Sequence, residues 1–186
     1  MIPVKVQKIS FHPPSRSYAV ILSEINGKRK LPVIVGSFEA QSIALALEAM
    51  DTPRPLTHDL IGLLINEIDA SLVAVKITSL EDGVFYASLD INGEATGKRS
   101  VDSRPSDAIA VGLRMKAPIM ISEELFEKAG LSENDFEITK SSEEVLSVRE
   151  LEDRLQIAVD DEKYEVAAKI RDQINELKVN ELKVKE

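Results

Sequence analysis

The stretch YAVILSEINGKRKLPVIVG, residues 18–36, decides the fold of the first part of the chain. Two runs rich in apolar residues, 18–24 and 29–35, flank the dipeptide Asn26-Gly27. Asn-Gly between two such runs is a strong hairpin signal, because both residues tolerate the positive φ angles of tight hairpin turns. The sequence therefore predicts an antiparallel ribbon near the N-terminus, with a further strand around residues 4–9.

Two helices are predicted next. The first begins at Gly36-Ser37, where Ser37 can cap it and Glu39 lies in its first turn; its apolar positions at helical spacing are Ala40, Ile43, Ala44 and Leu47. Prolines 53 and 55 end that helix, because proline lacks an amide proton. Thr57 is expected to cap the second, whose apolar stripe consists of Leu60, Ile61, Leu64, Ile65 and Ile68.

The remainder of the first part alternates between strands and helices. Residues 72–80 and 84–91 flank Glu81-Asp82-Gly83 and form a second hairpin, and a third strand ends near Val101. A helix to Met115, a strand at 118–121 and a short helix ending at Gly130 complete this part. The predicted class is α+β, with a mixed or antiparallel sheet and packed helices, over residues 1–135.

The tail differs in composition. Residues 136–144 are polar and apolar-poor, as expected of a linker. Over residues 145–182, two runs place apolar residues at spacings of three and four, separated by Asp160-Asp161-Glu162. This pattern predicts an antiparallel two-helix hairpin. Since two short helices are marginally stable in water, we expect the hairpin to dock on another surface.

Composition excludes several classes of protein. The 186 residues contain no cysteine, which rules out disulfides and thiolate chemistry. The 23 Lys and Arg against 32 Asp and Glu give a net charge of −9, so any contact with nucleic acid must be local. No apolar run approaches the roughly 18 residues of a membrane span, and no leader pattern opens the chain. We therefore expect no membrane contact and a cytoplasmic location.

Three polar segments lie in front of predicted helices: Gly36-Ser37-Phe38-Glu39, residues 53–59 (PRPLTHD) and residues 102–107 (DSRPSD). Each helix N-terminus exposes free amide groups and can receive an anion such as phosphate. The alternative is that the serines and threonines of these segments only cap their helices, with acidic neighbours complementing the helix dipole.

Two arginines are the strongest candidates for phosphate binding. Arg54 and Arg104 each adjoin proline, whose rigid backbone limits where the guanidinium can point. A guanidinium binds phosphate through two parallel hydrogen bonds. We therefore expect Arg54 and Arg104, with Ser106, to hold the substrate; the alternative is that each arginine pairs with a neighbouring carboxylate.

Acid–base and metal-binding candidates lie in the same segments. His58 can protonate a leaving oxygen, and Asp102 and Asp107 are candidate catalytic carboxylates. Asp59 and Glu39 are hard oxygen ligands suited to Mg²⁺ or Mn²⁺, and Asp102 and Asp107 could join them around the same cation, although the identity of any cofactor stays open. Alternatively, His58 only begins a helix.

Three ordered blocks carry a specific resemblance: residues 31–36 (LPVIVG) followed by Glu39-Ala40, residues 53–59, and residues 102–110 (DSRPSDAIA). Together they resemble the bifunctional nuclease (BFN) family over about residues 1–135. The resemblance implies hydrolysis of phosphodiester bonds in DNA or RNA. We expect the reaction to be metal-assisted, with His58 as the acid and the two arginines steadying the phosphoryl charge.

The tail resembles the UVR helical hairpin of the excision-repair proteins UvrB and UvrC. In those relatives the hairpin mediates protein association, so the resemblance implies a protein partner or self-association through the tail, and a homo-oligomer. A plain coiled-coil hairpin used for self-assembly is the alternative for the tail. For the whole chain, the rival hypothesis is a non-enzymatic interaction or regulatory module, which fits the acidic charge better.

Overall fold

The computed structural model describes residues 1–12, 17–50 and 52–132, and beyond them only the helical positions 151–153, 155, 156, 168, 170, 171 and 174. The chain divides into two compact units, Met1–Glu133 and Asn134–Glu186. The predicted linker at 136–144 and the two-helix arrangement at 145–182 fall outside what is described and stay predictions. None of the helices in the described ranges is long and apolar enough to cross a bilayer.

The described residues of the first unit form seven strands and four helices. In chain order they are β1 (Ile2–His12), β2 (Ser17–Glu24), β3 (Lys30–Val35), α1 (Ser37–Leu47), α2 (Thr57–Glu67), β4 (Ala70–Glu81), β5 (Val84–Gly93), β6 (Gly97–Ser103), α3 (Pro105–Arg114), β7 (Ile119–Ile121) and α4 (Glu123–Ala129). This is the α+β class that the sequence predicts.

The seven strands share one mixed sheet in the order β3-β2-β1-β7-β4-β5-β6. Neighbouring strands are antiparallel except β4 and β7, which are parallel with Val75 opposite Ile119. The sheet therefore consists of two antiparallel ribbons, β1–β3 and β4–β6, joined through the short strand β7.

Both predicted hairpins are confirmed. In the first, β2 and β3 pair from Tyr18↔Val35 to Ser23↔Lys30. The connection is longer than a two-residue turn. The Glu24 amide donates to the Arg29 carbonyl oxygen at 3.0 Å, and the residues between these two form a loop. The Arg29 side chain returns two hydrogen bonds to the Glu24 carboxylate, each 3.0 Å long, which closes this loop.

Helix α3 lies at the centre of the packing. It contacts α1, α2, β4 and β5, and five consecutive residues, 108–112, are buried. Burial at five successive positions means that α3 is covered on every side over this stretch. Small residues make this possible: a Cβ atom placed on Gly112 would lie 2.6 Å from Cγ2 of Val75 in β4.

Helix α2 buries less of its apolar stripe than the sequence predicts. Ile65 is buried and Ile61 is half-buried, and Gly62 lies close to Met115 at the end of α3. The other members of the predicted stripe are about half exposed: Leu60, Leu64 and Ile68. The reason is that α2 packs through one narrow face, and no element within the described residues covers its other apolar side.

Three helix starts bring the polar segments of the sequence onto the fold. Helix α1 follows Gly36, α2 follows the loop 52–56, and α3 begins at Pro105 after the extended residue Arg104. Proline suits the first position of a helix because its missing amide proton would have no partner there. The predicted positions of these three helix starts are confirmed, but the predicted capping by Ser37 and Thr57 is wrong. The residues that precede the helices are Gly36, Leu56 and Arg104, and none of their side chains caps the helix.

Candidate active site

Four side chains from the three helix starts form one hydrogen-bonded group, which we call the Arg104 cluster: Glu39 of α1, His58 of α2, and Arg104 and Asp107 at the start of α3. Arg104 Nη1 donates to Glu39 Oε1 at 3.2 Å, and His58 Nε2 lies 3.3 Å from Asp107 Oδ1. The cluster thereby joins residues that are 65 and 49 positions apart in the chain.

Arg104 binds Asp107 through a two-pronged ion pair. Its Nε donates to Oδ2 at 2.7 Å and its Nη2 donates to Oδ1 at 3.1 Å. Asp107 and then Glu39 raise the pKa of the Arg104 guanidinium above its ordinary value, so it stays charged. A guanidinium has five N–H donors, and the side chain of Arg104 remains 67% exposed. Donors not used by Glu39 and Asp107 are therefore available to an incoming anion.

The carboxyl group of Asp107 is ionised. Partial burial alone would raise its pKa, but hydrogen bonds from Arg104 and His58 outweigh that effect and hold the pKa below its usual range. An ionised carboxylate only accepts hydrogen bonds. The hydrogen bond with His58 therefore requires the proton to lie on Nε2, which leaves Nδ1 of a neutral imidazole as a proton acceptor.

A groove adjoins the cluster at His58. It has a volume of about 520 Å³ and lies between α2, the end of α3 and the loop before α2. Its lining includes Thr52, Pro55, His58, Asn66 and Met115. His58 is thus shared: one ring nitrogen contacts Asp107, and the same side chain forms part of the groove.

Arg114, which sequence reasoning did not single out, holds the wall of this groove. Its Nε pairs with Asp59 Oδ1 at 3.2 Å, and its Nη1 donates to the Met50 carbonyl oxygen at 2.9 Å. Asp59 in turn accepts from the Leu56 amide at 2.9 Å. The only sequence signal for Arg114 is a basic residue in the last turn of a helix, which is common because it complements the helix dipole.

Two of the predicted substrate-binding residues, Arg54 and Ser106, differ in their exposure to solvent. Arg54 is exposed in the loop beside the groove, and the Thr52 hydroxyl fixes that loop by donating to the Arg54 carbonyl oxygen at 2.6 Å. Within the described ranges the Arg54 guanidinium has no ion-pair partner. Ser106 is only 8% exposed, so its hydroxyl offers little surface to a substrate.

Asp102 does not join the cluster. Asp102 is exposed on β6, where it lies opposite Ser88 of β5. The preceding residue, Val101, lies opposite Leu89. Leu89 is buried and pairs with Val75, which faces α3. Because successive side chains of a strand point to opposite faces, Asp102 lies on the face of the sheet turned away from α3. The four cluster residues come from the helix side.

The carboxylates of this site do not fit a resident cation as they are arranged. Asp107 and Glu39 both bind the Arg104 guanidinium, and Asp59 binds Arg114. Among the described residues, no group of three Asp, Glu or His side chains is placed to hold a metal ion. A cation at Asp107 would compete with Arg104 for both carboxylate oxygens, whereas Glu39 contacts Arg104 through Oε1 alone.

Comparison with protein families matches both parts of the chain. The bifunctional nuclease domain matches residues 20–134, and the UvrB/UvrC motif matches residues 146–179. These matches confirm the two resemblances drawn from the sequence.

Individual relatives agree with the family matches. An uncharacterised protein of Mycobacterium tuberculosis is 40% identical over 144 residues, covering 76% of this chain and 85% of the relative. Bifunctional nuclease 1 of Oryza sativa is 24% identical over 178 residues, covering 84% of this chain and 54% of the relative. Bifunctional nuclease 1 of Arabidopsis thaliana is 23% identical over 172 residues, or 80% and 52%. The chain thus spans about half the length of these plant nucleases.

Proposed function

Because the chain belongs to the bifunctional nuclease domain family and carries a UvrB/UvrC motif behind that domain, we propose that it hydrolyses phosphodiester bonds of DNA or RNA at the Arg104 cluster. The observation that carries this proposal is the contact of His58 with the ionised Asp107, beside an exposed arginine and an open groove.

His58 supplies the proton transfer in this proposal. Asp107 holds the ring with its proton on Nε2, so Nδ1 accepts a proton from the water that attacks phosphorus. The leaving oxygen departs on the side of phosphorus opposite the attacking water, out of reach of the same nitrogen, so it takes its proton from solvent. His58 thus acts as the base in this proposal rather than as the predicted acid. A positioned general base or acid of this kind contributes about 10²–10⁴-fold to a rate.

The arginines supply charge. Unused donors of Arg104 bind the non-bridging phosphate oxygens and stabilise the negative charge that develops as water attacks. The cluster itself is acidic, since two carboxylates face one guanidinium. Arg54, which is exposed beside the groove, adds a second positive charge. This charge offsets the two carboxylates of the cluster and so helps a negatively charged phosphodiester to approach it.

We give the roles predicted for Asp102, Ser106, Asp59 and Glu39 less weight than the roles of His58 and the two arginines. Asp102 lies on the other face of the sheet and Ser106 is buried. Metal assistance through Glu39 or Asp59 would compete with the ion pairs that these carboxylates make with Arg104 and Arg114. The digestion assay is therefore run with a chelator and with added Mg²⁺ or Mn²⁺.

The experiment is digestion of single-stranded and duplex DNA and RNA by the purified full chain. We expect Asp107→Asn, His58→Asn and Arg104→Ala each to lower the cleavage rate by about 100-fold or more. The matched control is Asp82→Asn, an exposed carboxylate in the turn between β4 and β5, which should cleave like the parent. Cleavage that persists in Asp107→Asn and Arg104→Ala would place the activity elsewhere.

A second candidate function is a non-enzymatic interaction module. The net charge of −9 favours it, because an acidic surface opposes binding to nucleic acid. The UvrB/UvrC motif at 146–179 favours it too, as a motif of protein interaction. This alternative predicts no cleavage by the parent chain under any metal condition, with retention of a protein partner that is lost when residues 141–186 are removed.

A further inference from the structure

The two edges of the sheet are protected unequally. At the β3 edge, Pro32 lacks an amide proton, and the backbone of Lys30 exchanges hydrogen bonds with Leu131 at 2.9 and 2.8 Å. At the other edge lies β6, Gly97–Ser103, which pairs with β5 on one side only. Its first six residues are exposed, and no element within the described ranges covers its outer side. An open strand edge is a ready template for pairing with another strand.

The sequence of β6 is complementary to itself. The seven residues GKRSVDS have Ser100 at their midpoint, so a fully overlapping antiparallel pairing of two β6 strands places Ser100 opposite its own copy. In that register Lys98 of one chain lies opposite Asp102 of the other, and the two-fold symmetry repeats this pair at the other end. Arg99 then lies opposite Val101, whose apolar surface its aliphatic stem can cover.

We propose that two copies of this chain pair through β6, antiparallel and centred on Ser100, and that they thereby continue the sheet across a two-fold axis. The charge pattern argues for a second copy rather than for another strand. A lysine alone on a sheet edge discourages pairing, but here an aspartate at the mirror-related position balances it. Within the described residues neither Lys98 nor Asp102 has an ion-pair partner, so both are available to the second copy.

Other registers pair the two β6 strands less favourably. A shift of the centre to residue 101 places Lys98 opposite Arg104, and a shift to residue 99 places it opposite Ser100; both also leave part of the strand unpaired. The register centred on Ser100 pairs residues 98–102 with their own copies and uses both opposite charges; Gly97, with a φ of 63°, is not in extended backbone. Lys98, Ser100 and Asp102 also point to the same face, because side chains alternate along a strand. The inference does not rest on the proposed function.

The first test is charge reversal, read by sedimentation velocity of the full chain from micromolar to submillimolar concentration. We expect a concentration-dependent dimer whose dissociation constant rises at least about tenfold in Lys98→Glu and in Asp102→Lys, because each change places like charges opposite each other at both ends of the pair. The double variant Lys98→Glu/Asp102→Lys should recover most of the loss. The matched control, Lys28→Glu, makes the same charge change in an exposed turn and should leave dimerisation unchanged.

The second test fixes the register and uses the absence of cysteine from the chain. In Ser100→Cys the two introduced thiols lie on directly opposed residues, whose Cα atoms are about 4.5–5.5 Å apart. Such a pair closes a disulfide under oxidised glutathione. In Val101→Cys the same thiols are diagonal neighbours at about 7–8 Å and should cross-link far less.

Each test has outcomes that overturn the proposal. A parent chain that stays monomeric over the whole range contradicts it, as does a dimer that neither single charge reversal weakens. Equal cross-linking at positions 100 and 101, or none at 100, also contradicts it. A preference for position 100, together with recovery in the double variant, supports it.

Discussion

Gly112 determines how closely α3 approaches the sheet. A Cβ atom there would lie 2.6 Å from Val75 Cγ2, and Val75 is fully buried and β-branched, so it has little freedom to move aside. Gly62 in α2 offers a contrast, because a Cβ atom there would lie 3.3 Å from Cγ of Met115, whose flexible side chain can adjust. The same substitution therefore has opposite consequences at these two helical glycines.

We predict that Gly112→Ala destabilises the protein by about 1–3 kcal/mol, the usual result of overpacking a core. Gly62→Ala is the matched control and should be neutral or stabilising, since alanine is preferred to glycine inside a helix by about 1 kcal/mol. Urea unfolding followed by far-ultraviolet circular dichroism measures both free energies. Equal stability of the two variants would mean that Val75 and α3 are not in such close contact.

At the scale of elements, α2 combines structural and binding roles. Its inner face holds Ile65 against the fold, its first turn contributes His58 to the cluster, and its outer face leaves leucines half exposed. Helical periodicity identifies all apolar positions of a helix, but the fraction that is buried depends on what packs against it.

We predict a large difference between two adjacent truncations in α2. Ile65→Ala should lower the free energy of unfolding by about 2–4 kcal/mol, because it leaves a cavity in a buried contact. Leu64→Ala should change it by about 0.5 kcal/mol or less, since Leu64 is 57% exposed. Thermal and urea unfolding of the two variants compare them directly. A comparable loss in Leu64→Ala would show that a further surface covers this side of α2.

At the scale of the whole molecule, one ion-pair network joins the ribbon β2–β3 to α4. Arg29 donates to Glu24 and, at 2.7 Å, to Glu123, and its guanidinium lies 4.9 Å from the ring centroid of Phe126. The hydrogen bond from Arg29 holds the pKa of Glu24 below its ordinary value of 4.5. The pKa of Asp107, which belongs to the separate Arg104 cluster, is also lowered.

These carboxylates predict acid sensitivity. Near pH 4.5, the ordinary pKa of Glu24, the unfolded chain takes up a proton that the folded chain accepts only at lower pH. The unfolded state then binds more protons, so stability is retained above this range and falls as the pH falls through it. In Glu24→Gln the loss between pH 6 and pH 3 should be smaller than in the parent. Urea unfolding at a series of pH values measures this loss of stability. The same dependence of the unfolding free energy on pH in Glu24→Gln and in the parent would contradict a lowered pKa of Glu24.

The division of the chain gives a second prediction at this scale. Among the residues that the structure describes, every member of the hydrophobic core cluster lies within the first 133 residues. A fragment ending at Glu133 should therefore fold alone, with cooperative urea unfolding and amide NMR signals at the positions seen in the full chain. A fragment that unfolds without cooperativity would refute independent packing of the first unit.

The sequence by itself predicted the local structure, and its polar segments named some of the side chains that meet in the Arg104 cluster. Hairpins, helix starts and apolar periodicity depend on neighbouring residues, so the hairpin around Asn26-Gly27 and the helix start at Pro105 are predicted correctly. The turn at Asn26-Gly27 itself differs, because the chain forms a longer loop there and neither residue has a positive φ. Two of the three polar segments contain His58, Arg104 and Asp107, and these the structure brings together.

Only the tertiary structure decided which partners these residues have. The pairing of Arg104 with Glu39 joins α1 to α3, the insertion of β7 between β1 and β4 sets the order of the sheet, and the register of β6 turns Asp102 to the opposite face. Arg114 emerged as the wall of the groove only when its contacts with Asp59 were seen. Such contacts form because the whole core packs in one arrangement, and that free energy is not encoded in any short stretch of sequence.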